Sequence, residues 1–247
     1  RVNLPDFLDA DAVSLRVGAS VGGIEARDSG YFEALTYDKF PQQQLVFRNL
    51  GFAADEVVTR PRSESFGTPD EWLTKVQPSV VFAFFGYNES FDGPARVANF
   101  EAELEAWVQH TLSKAYNGAA APRLVLVSPI AYEDQSAKRD LPKGDKENSN
   151  LLLYSVATEN VARKHKLTFI DLFTATKSIY AKGGPAFTTG GYIPTDAGYE
   201  QLAGILASGI YGHQSRDSKA DPELVHAAVK EKDWFWQNDY NILNGVH

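Results

Sequence analysis

The chain has 247 residues, of which 43% are hydrophobic and 23% charged, a length and balance that suit one α/β domain with a substantial core and not a disordered chain. It contains no cysteine, which excludes disulfides, thiolate metal sites and cysteine nucleophiles. A formal net charge of −8 creates an average field that repels a nucleic-acid backbone, so no nucleic-acid partner is expected, and no apolar run approaches the roughly 20 residues that span a bilayer.

Along the chain, short apolar runs alternate with amphipathic ones, the pattern of βαβ units around a parallel sheet. A first strand is predicted over Ala12 to Val17, running into Gly18-Ala19-Ser20. A helix follows near Ser29 to Phe40, with Phe32, Leu35 and Phe40 on one face. The second strand is predicted from Gln44 to Arg48, ending in Asn49-Leu50-Gly51, and Phe52 to Gly67 reads as loop. Thr68-Pro69-Asp70-Glu71 reads as a helix start: Thr68 and Glu71 can form a reciprocal capping box, with proline at the first helical position. The third strand, Ser79 to Phe85, is apolar throughout, as expected of a central strand buried on both faces.

A long amphipathic helix from Pro94 to Tyr116 carries Val97, Phe100, Leu104, Trp107, Val108 and Leu112 at helical spacing, which reads as core packing. The fourth strand is Arg123 to Val127, and the polar stretch Glu133 to Asn148 reads as an exposed loop. A helix from Ser149 to His165 leads into the fifth strand, Leu167 to Leu172; a short helix follows, then a loop from Gly183 to Pro194. Thr195 and Asp196 open a helix reaching Ser208, and Asp221-Pro222-Glu223 opens a last one bearing Trp234 and Trp236. Five strands with interleaved helices predict a three-layer flavodoxin-like sandwich around a five-stranded parallel sheet over residues 1–212, with a helical extension over 213–247 that packs on the domain or on a partner.

In such sheets ligands bind beyond the carboxyl ends of the strands, at the point where strand order reverses. The segments there are Gly18-Ala19-Ser20, Asn49 to Asp55, Gly86-Tyr87-Asn88-Glu89 and Ser128-Pro129-Ile130. Ser20 offers a nucleophile, and Asn88 offers a side-chain amide to a developing oxyanion. Backbone N–H groups of Ser20 and Ala54 can complete the hole.

These segments resemble the sequence blocks of the SGNH (GDSL-type) hydrolases. The family's Gly-Asp-Ser is similar to Gly18-Ala19-Ser20, with Ala19 in place of the acid. Its Asn-x-Gly-x-x-Gly-Asp is similar to Asn49 through Asp55, with Ala54 in place of the oxyanion glycine. Its Gly-x-Asn-Asp/Glu is matched by Gly86 to Glu89. The resemblance runs from about Ala12 to Gly209. Its nearest likeness is a branch common in planctomycete-type bacteria, through the phrases Phe47 to Gly51, Phe66 to Glu71, Tyr116 to Gly118 and Pro122 to Leu126 and the tail Val229 to Asn238.

The last family block, Asp-x-x-His before the final helix, is not reproduced. Gly190 stands at the acid position and Ile193 at the histidine position, while Tyr132 stands where the branch often has another histidine. A serine hydroxyl needs a base within hydrogen-bond reach, and losing one typically costs on the order of 10⁴–10⁶ in turnover. His110, His165, His213, His226 and His247 read as surface residues; His213 or His247 reaches the strand ends only if the tail folds back over them. Asp55, Glu89 and Asp196 are carboxylates expected near the site, too weakly basic to activate a serine efficiently.

The resemblance, with that block missing, implies a hydrolase-like domain without catalysis that serves in binding, assembly or scaffolding. The alternative is an active esterase on acyl or acetylated carbohydrate esters, with Ser20 as nucleophile and a displaced base. Ser20, Ala54 and Asn88 are the candidate catalytic residues in either case. Gly18 to Gly23 matches neither the dinucleotide fingerprint nor the phosphate loop, and no metal-ligand spacing occurs, so neither cofactor nor metal is expected. The expected partners are a small ester or carbohydrate ligand and a protein or further domain meeting the aromatic tail. Family habit and the start at Arg1 suggest a processed, exported chain, periplasmic or extracellular.

Overall fold

The computed structural model describes residues 14–19, 29–52, 54–212 and 217–242; of 14–19, 241 and 242 only the backbone course is described. Five strands form the central sheet: β1 (Ser14–Ala19), β2 (Val46–Asn49), β3 (Val80–Phe84), β4 (Arg123–Val127) and β5 (Thr168–Ile170). Their spatial order is β2-β1-β3-β4-β5, and every neighbouring pair is parallel. The order runs outward from β1 in one direction and from β3 in the other, which places the reversal between those two strands and opens a crevice beyond their carboxyl ends.

The two-residue period of β3 and β4 builds two cores. Val80, Phe82, Val125 and Val127 face one side with residues of α1 (Tyr31–Lys39), α5 (Leu172–Tyr180) and α6 (Asp196–Tyr211). Val81, Ala83, Leu124 and Leu126 face the other with residues of α2 (Pro69–Val76), α3 (Val97–Leu112) and α4 (Asp145–His165). On α3, Phe100, Leu104 and Val108 are buried on the stripe anticipated from their spacing, each contributing about 1.5–3 kcal/mol through lost apolar exposure.

Local chemistry sets the element ends. The α2 capping box forms in both directions: Glu71 N–H donates to Thr68 Oγ1 at 3.2 Å, and Thr68 N–H donates to Glu71 Oε2 at 2.6 Å. The helix expected from Pro94 begins instead with a 3-10 turn, Pro94–Arg96, and α3 ends at Leu112, where the Ser113 hydroxyl donates to His110 O at 2.6 Å and competes with further helix. α4 starts at Asp145 rather than Ser149, after a left-handed Gly144, with Asp145 and Glu147 in the first turn, where the helix dipole favours acids. β5 stops at Ile170 because Asp171 turns to cap α5, accepting from Thr174 N–H at 2.9 Å.

A hairpin of β6 (Thr188–Thr189) and β7 (Ile193–Pro194) forms inside the stretch expected to be loop. Glu133 and Gln135 correct the reading of 133–148 as wholly exposed: both are buried against this hairpin.

The last helix, α7 (Pro222–Ile242), lies against α1 and the edge strand β2. Lys232 pairs with Glu33 and, at 2.7 Å, with Asp233. Trp236 Nε1 donates to Asn49 O at 2.8 Å, and Tyr240 donates its hydroxyl to Leu50 O at 3.0 Å while its ring packs with Phe66 and Trp72. No helix among the described residues is long and apolar enough to cross a membrane.

Candidate functional site

Ser20, the candidate nucleophile, lies outside the described residues, as do Ala53, His213 and His247. β1 is described through Ala19, where it pairs with Phe84 of β3. The chain therefore reaches the carboxyl edge of the sheet one residue before Ser20, beside the strand that leads into Gly86 and Asn88.

The loop after β2 and the turn after β3 are tied into one unit. Asn49 Oδ1 accepts from Gly51 N–H at 2.9 Å, which turns the chain as it leaves β2. Asp55 is buried and accepts twice from Arg62, at 2.7 Å to each oxygen, and once from Phe52 N–H at 3.0 Å. This forked pair is geometrically specific, and the Arg62 guanidinium lies 4.0 Å from the Phe52 ring centre. Between them Ala54 is exposed and left-handed, at φ 64°, a conformation natural for glycine and strained for alanine. A glycine at this position would hold the same backbone shape without that strain.

Asn88 follows β3 and donates Nδ2 to Asp55 O at 3.1 Å. Its amide carries a second hydrogen that this bond does not use, so the side chain is held next to the 55–56 peptide with one donor to spare. Glu89, completely buried, fastens the same unit from below. Its carboxylate accepts from Val57 N–H at 3.0 Å and from Gly86 N–H at 2.8 Å. Burial pushes the Glu89 carboxyl above its ordinary range, against the pull of those backbone donors. Ala54 and Asn88 are therefore brought together, and Glu89 supports them structurally instead of offering a free carboxylate at the site.

Across the crevice, the 187–196 stretch has been built for packing. Gly190 and Gly191 turn the hairpin at φ 67° and 89°, and Ile193 pairs with Thr189. A Cβ on Gly191 would overlap the Tyr132 ring, so the glycine makes room for that tyrosine. Glu133 anchors the hairpin by accepting from Phe187 N–H (3.1 Å), Thr188 N–H (2.7 Å) and Thr188 Oγ1 (2.5 Å), while its own N–H donates to Gly191 O at 2.8 Å. Tyr87 is buried beside this wall with Phe91 and Tyr192 around it, ring centres 5.7 and 6.1 Å away, and burial drives its phenol pKa upward.

The described imidazoles are engaged elsewhere. His110 Nε2 lies 2.8 Å from Asp70 Oδ2, and His165 Nε2 lies 3.4 Å from Glu105 at the amino end of β5. His226 departs from the expectation of a surface residue. It is partly buried, with Nε2 2.5 Å from Ser29 O and its ring centre 4.2 Å from that of Tyr31. Tyr31 in turn donates to Asp196 at 2.7 Å, a bond that pushes its phenol up to about 12. α7 thus delivers a histidine to the start of α1. Nothing in the sequence around His226 marks it, because its hydrogen-bond partner Ser29 lies 197 residues away. Among the described residues no group of three or more histidines and carboxylates gathers in a way that could hold a metal ion.

No family model matches the chain, and no curated protein matches it. Solved structures do match in fold. A catalytic mutant of Axe2, an acetylxylan esterase from Geobacillus stearothermophilus, aligns with a TM-score of 0.63 at 16% identity, over 83% of this chain and 97% of that one. Axe2 itself aligns with a TM-score of 0.62 at 16% identity, over 84% and 97%. LAE5, an alpha/beta hydrolase from the metagenome of Lake Arreo, Spain, aligns with a TM-score of 0.60 at 16% identity, over 83% and 96%. At this identity the likeness concerns the fold: an α/β architecture with a parallel sheet that is shared with esterases and hydrolases.

Proposed function

We propose that this chain is an SGNH-type hydrolase domain, nearest to the planctomycete-type branch, that has lost catalysis and works by binding. The observation that carries the reading is Ile193: the position matching the family's histidine holds an aliphatic side chain on a paired strand, and Gly190 replaces its acid. An isoleucine accepts no proton, and Ser20 without a base remains a poor nucleophile. The retained Asn88–Asp55 clamp and the left-handed backbone at Ala54 fit an ester- or carbohydrate-shaped ligand bound where a substrate once was. Trp234 and Phe235, 55% and 56% exposed on α7, form the surface proposed to meet a protein partner or a further domain. Export is proposed with the same reading.

A second reading has one observation in its favour. His226 sits on Tyr31 at the start of α1, with Asp196 hydrogen-bonded to the same tyrosine, so an imidazole and a carboxylate are linked through one phenol. In that reading the chain is an esterase with a displaced base. Turnover of p-nitrophenyl acetate and labelling by a fluorophosphonate probe, each compared with Ser20→Ala, decide the matter. The binding reading expects no difference between the proteins. Hydrolysis that disappears in Ser20→Ala overturns it, and a further loss in His226→Gln would identify the base.

A further inference from the structure

A cavity of about 160 Å³ lies beneath the loop that follows β2, between β3, α2 and α3. Most of its walls are apolar, formed by residues such as Leu50, Trp72, Leu73, Ala83 and Trp107, and the paired Asp55 and Arg62 line it as well. Cavities of about 150 Å³ with such linings admit benzene, so the space suits one ring or a short branched chain.

One wall carries a cation. Arg60 lines the cavity with its guanidinium 5.1 Å from the Phe85 ring centre. Its Nε donates to Glu56 O at 3.3 Å and its Nη2 to Val57 O at 3.1 Å. Those two bonds occupy one side of the fork and leave the Nη1 hydrogens and one on Nη2, a planar pair of donors of the kind that matches a carboxylate. The neighbouring Arg62 is neutralised by its forked pair with Asp55, so that carboxylate is committed. Among the described residues Arg60 makes no ion pair. Burial pulls its guanidinium below the ordinary range, with the Asp55 carboxylate opposing the shift from a distance and the Arg62 charge adding to it.

We infer that this cavity binds a small organic acid, with a benzene-sized apolar body between Trp72, Phe85 and Trp107 and its carboxylate on the free edge of Arg60. Neither Ala54 nor Asn88 lines this cavity, although Asp55 does, and binding there requires no ester hydrolysis. A neutral ligand fills the apolar space but leaves the cation unpaired, and a bare anion such as acetate pairs with Arg60 but leaves the apolar walls uncovered.

Calorimetric titration of the full chain with phenylacetate, phenylacetamide and acetate tests this. Phenylacetate is expected to bind about tenfold or more tightly than its neutral amide, the gain of a charge-assisted pair, and about tenfold or more tightly than acetate, the gain of covering the ring. Arg60→Gln, shown to be folded by circular dichroism, is expected to bring phenylacetate down to the affinity of the amide. Ala83→Leu, which fills the apolar end, is expected to weaken phenylacetate and phenylacetamide together. Equal binding of acid and amide to the native chain overturns the inference, as does acetate binding as well as phenylacetate, no binding by any of the three, or full phenylacetate affinity in folded Arg60→Gln. The comparison of acid with amide needs no variant, so a substitution that prevents folding does not remove the test.

Discussion

Replacing Ala54 with glycine tests the backbone of the candidate oxyanion loop directly. Ala54 is left-handed at φ 64° and exposed, so its methyl group contributes little burial. An L-residue with a Cβ costs about 1–2 kcal/mol in that region compared with glycine. Against this, glycine makes the unfolded chain more flexible, which costs about 0.4–1 kcal/mol on folding. The difference predicts that Ala54→Gly stabilises the protein by about 0.5–1 kcal/mol, or roughly 1–4 °C in Tm for a chain of this size. Urea unfolding of the two proteins measures it, as a higher midpoint at unchanged slope. A lower midpoint refutes the reasoning: either the loop is not left-handed there in solution, or the methyl group makes contacts that outweigh the strain. Ala54→Val supplies the opposite sign, since a β-branched residue is worse still at positive φ.

Two further predictions concern the supports around the site and the tail. Glu89→Ala leaves the buried N–H groups of Val57 and Gly86 without acceptors, and should cost about 2–5 kcal/mol in urea unfolding; Glu89→Gln, which keeps an oxygen, should cost clearly less. Glu33, between α1 and α7, is pushed up to about 8 from an ordinary 4.5, by burial first, with Lys232 opposing and Asp233 adding to it. A raised pKa means that the folded chain holds this proton more tightly than the unfolded one, so the stabilising contribution is complete below about 4.5 and is lost as pH climbs through about 8. Replacing it with glutamine should therefore shrink the fall in unfolding free energy between pH 5 and pH 9 by on the order of 4 kcal/mol; an unchanged pH profile rejects the assignment.

What could be read in the chain, and what could not, follows from how far apart the determining contacts lie. The apolar run at β3, the stripe on α3 and the Thr68–Glu71 cap are local patterns, and each formed where its residues placed it. The loop that carries Ala54 and the turn that carries Asn88 are legible only as two separate segments following two strands; the bond that joins them, from Asn88 to Asp55, spans 33 positions. Glu133 looked like one more charge in a solvated stretch, because the backbone donors that justify burying it belong to Phe187 and Thr188. The β6–β7 hairpin has two residues on each side, too few to display a period. His226 reads as a surface residue in the sequence and Arg60 falls in the stretch from Phe52 to Gly67 that reads as loop; their settings depend on a helix folding back and on a cavity, neither of which has a periodic signature.

Tyr132 lies in a slot whose two sides are Gly144 and Gly191: a Cβ on either would run into its ring, and both glycines have positive φ, at 84° and 89°. Three positions spread over sixty residues of sequence are thereby bound to a common fate. While the tyrosine remains, a side chain at either glycine meets both its ring and the strain of a positive φ; a smaller residue 132 removes only the first of these, so change at 144 and 191 follows change at 132 and stays confined to residues that tolerate positive φ. A set of relatives should carry that history as correlated changes at these three columns.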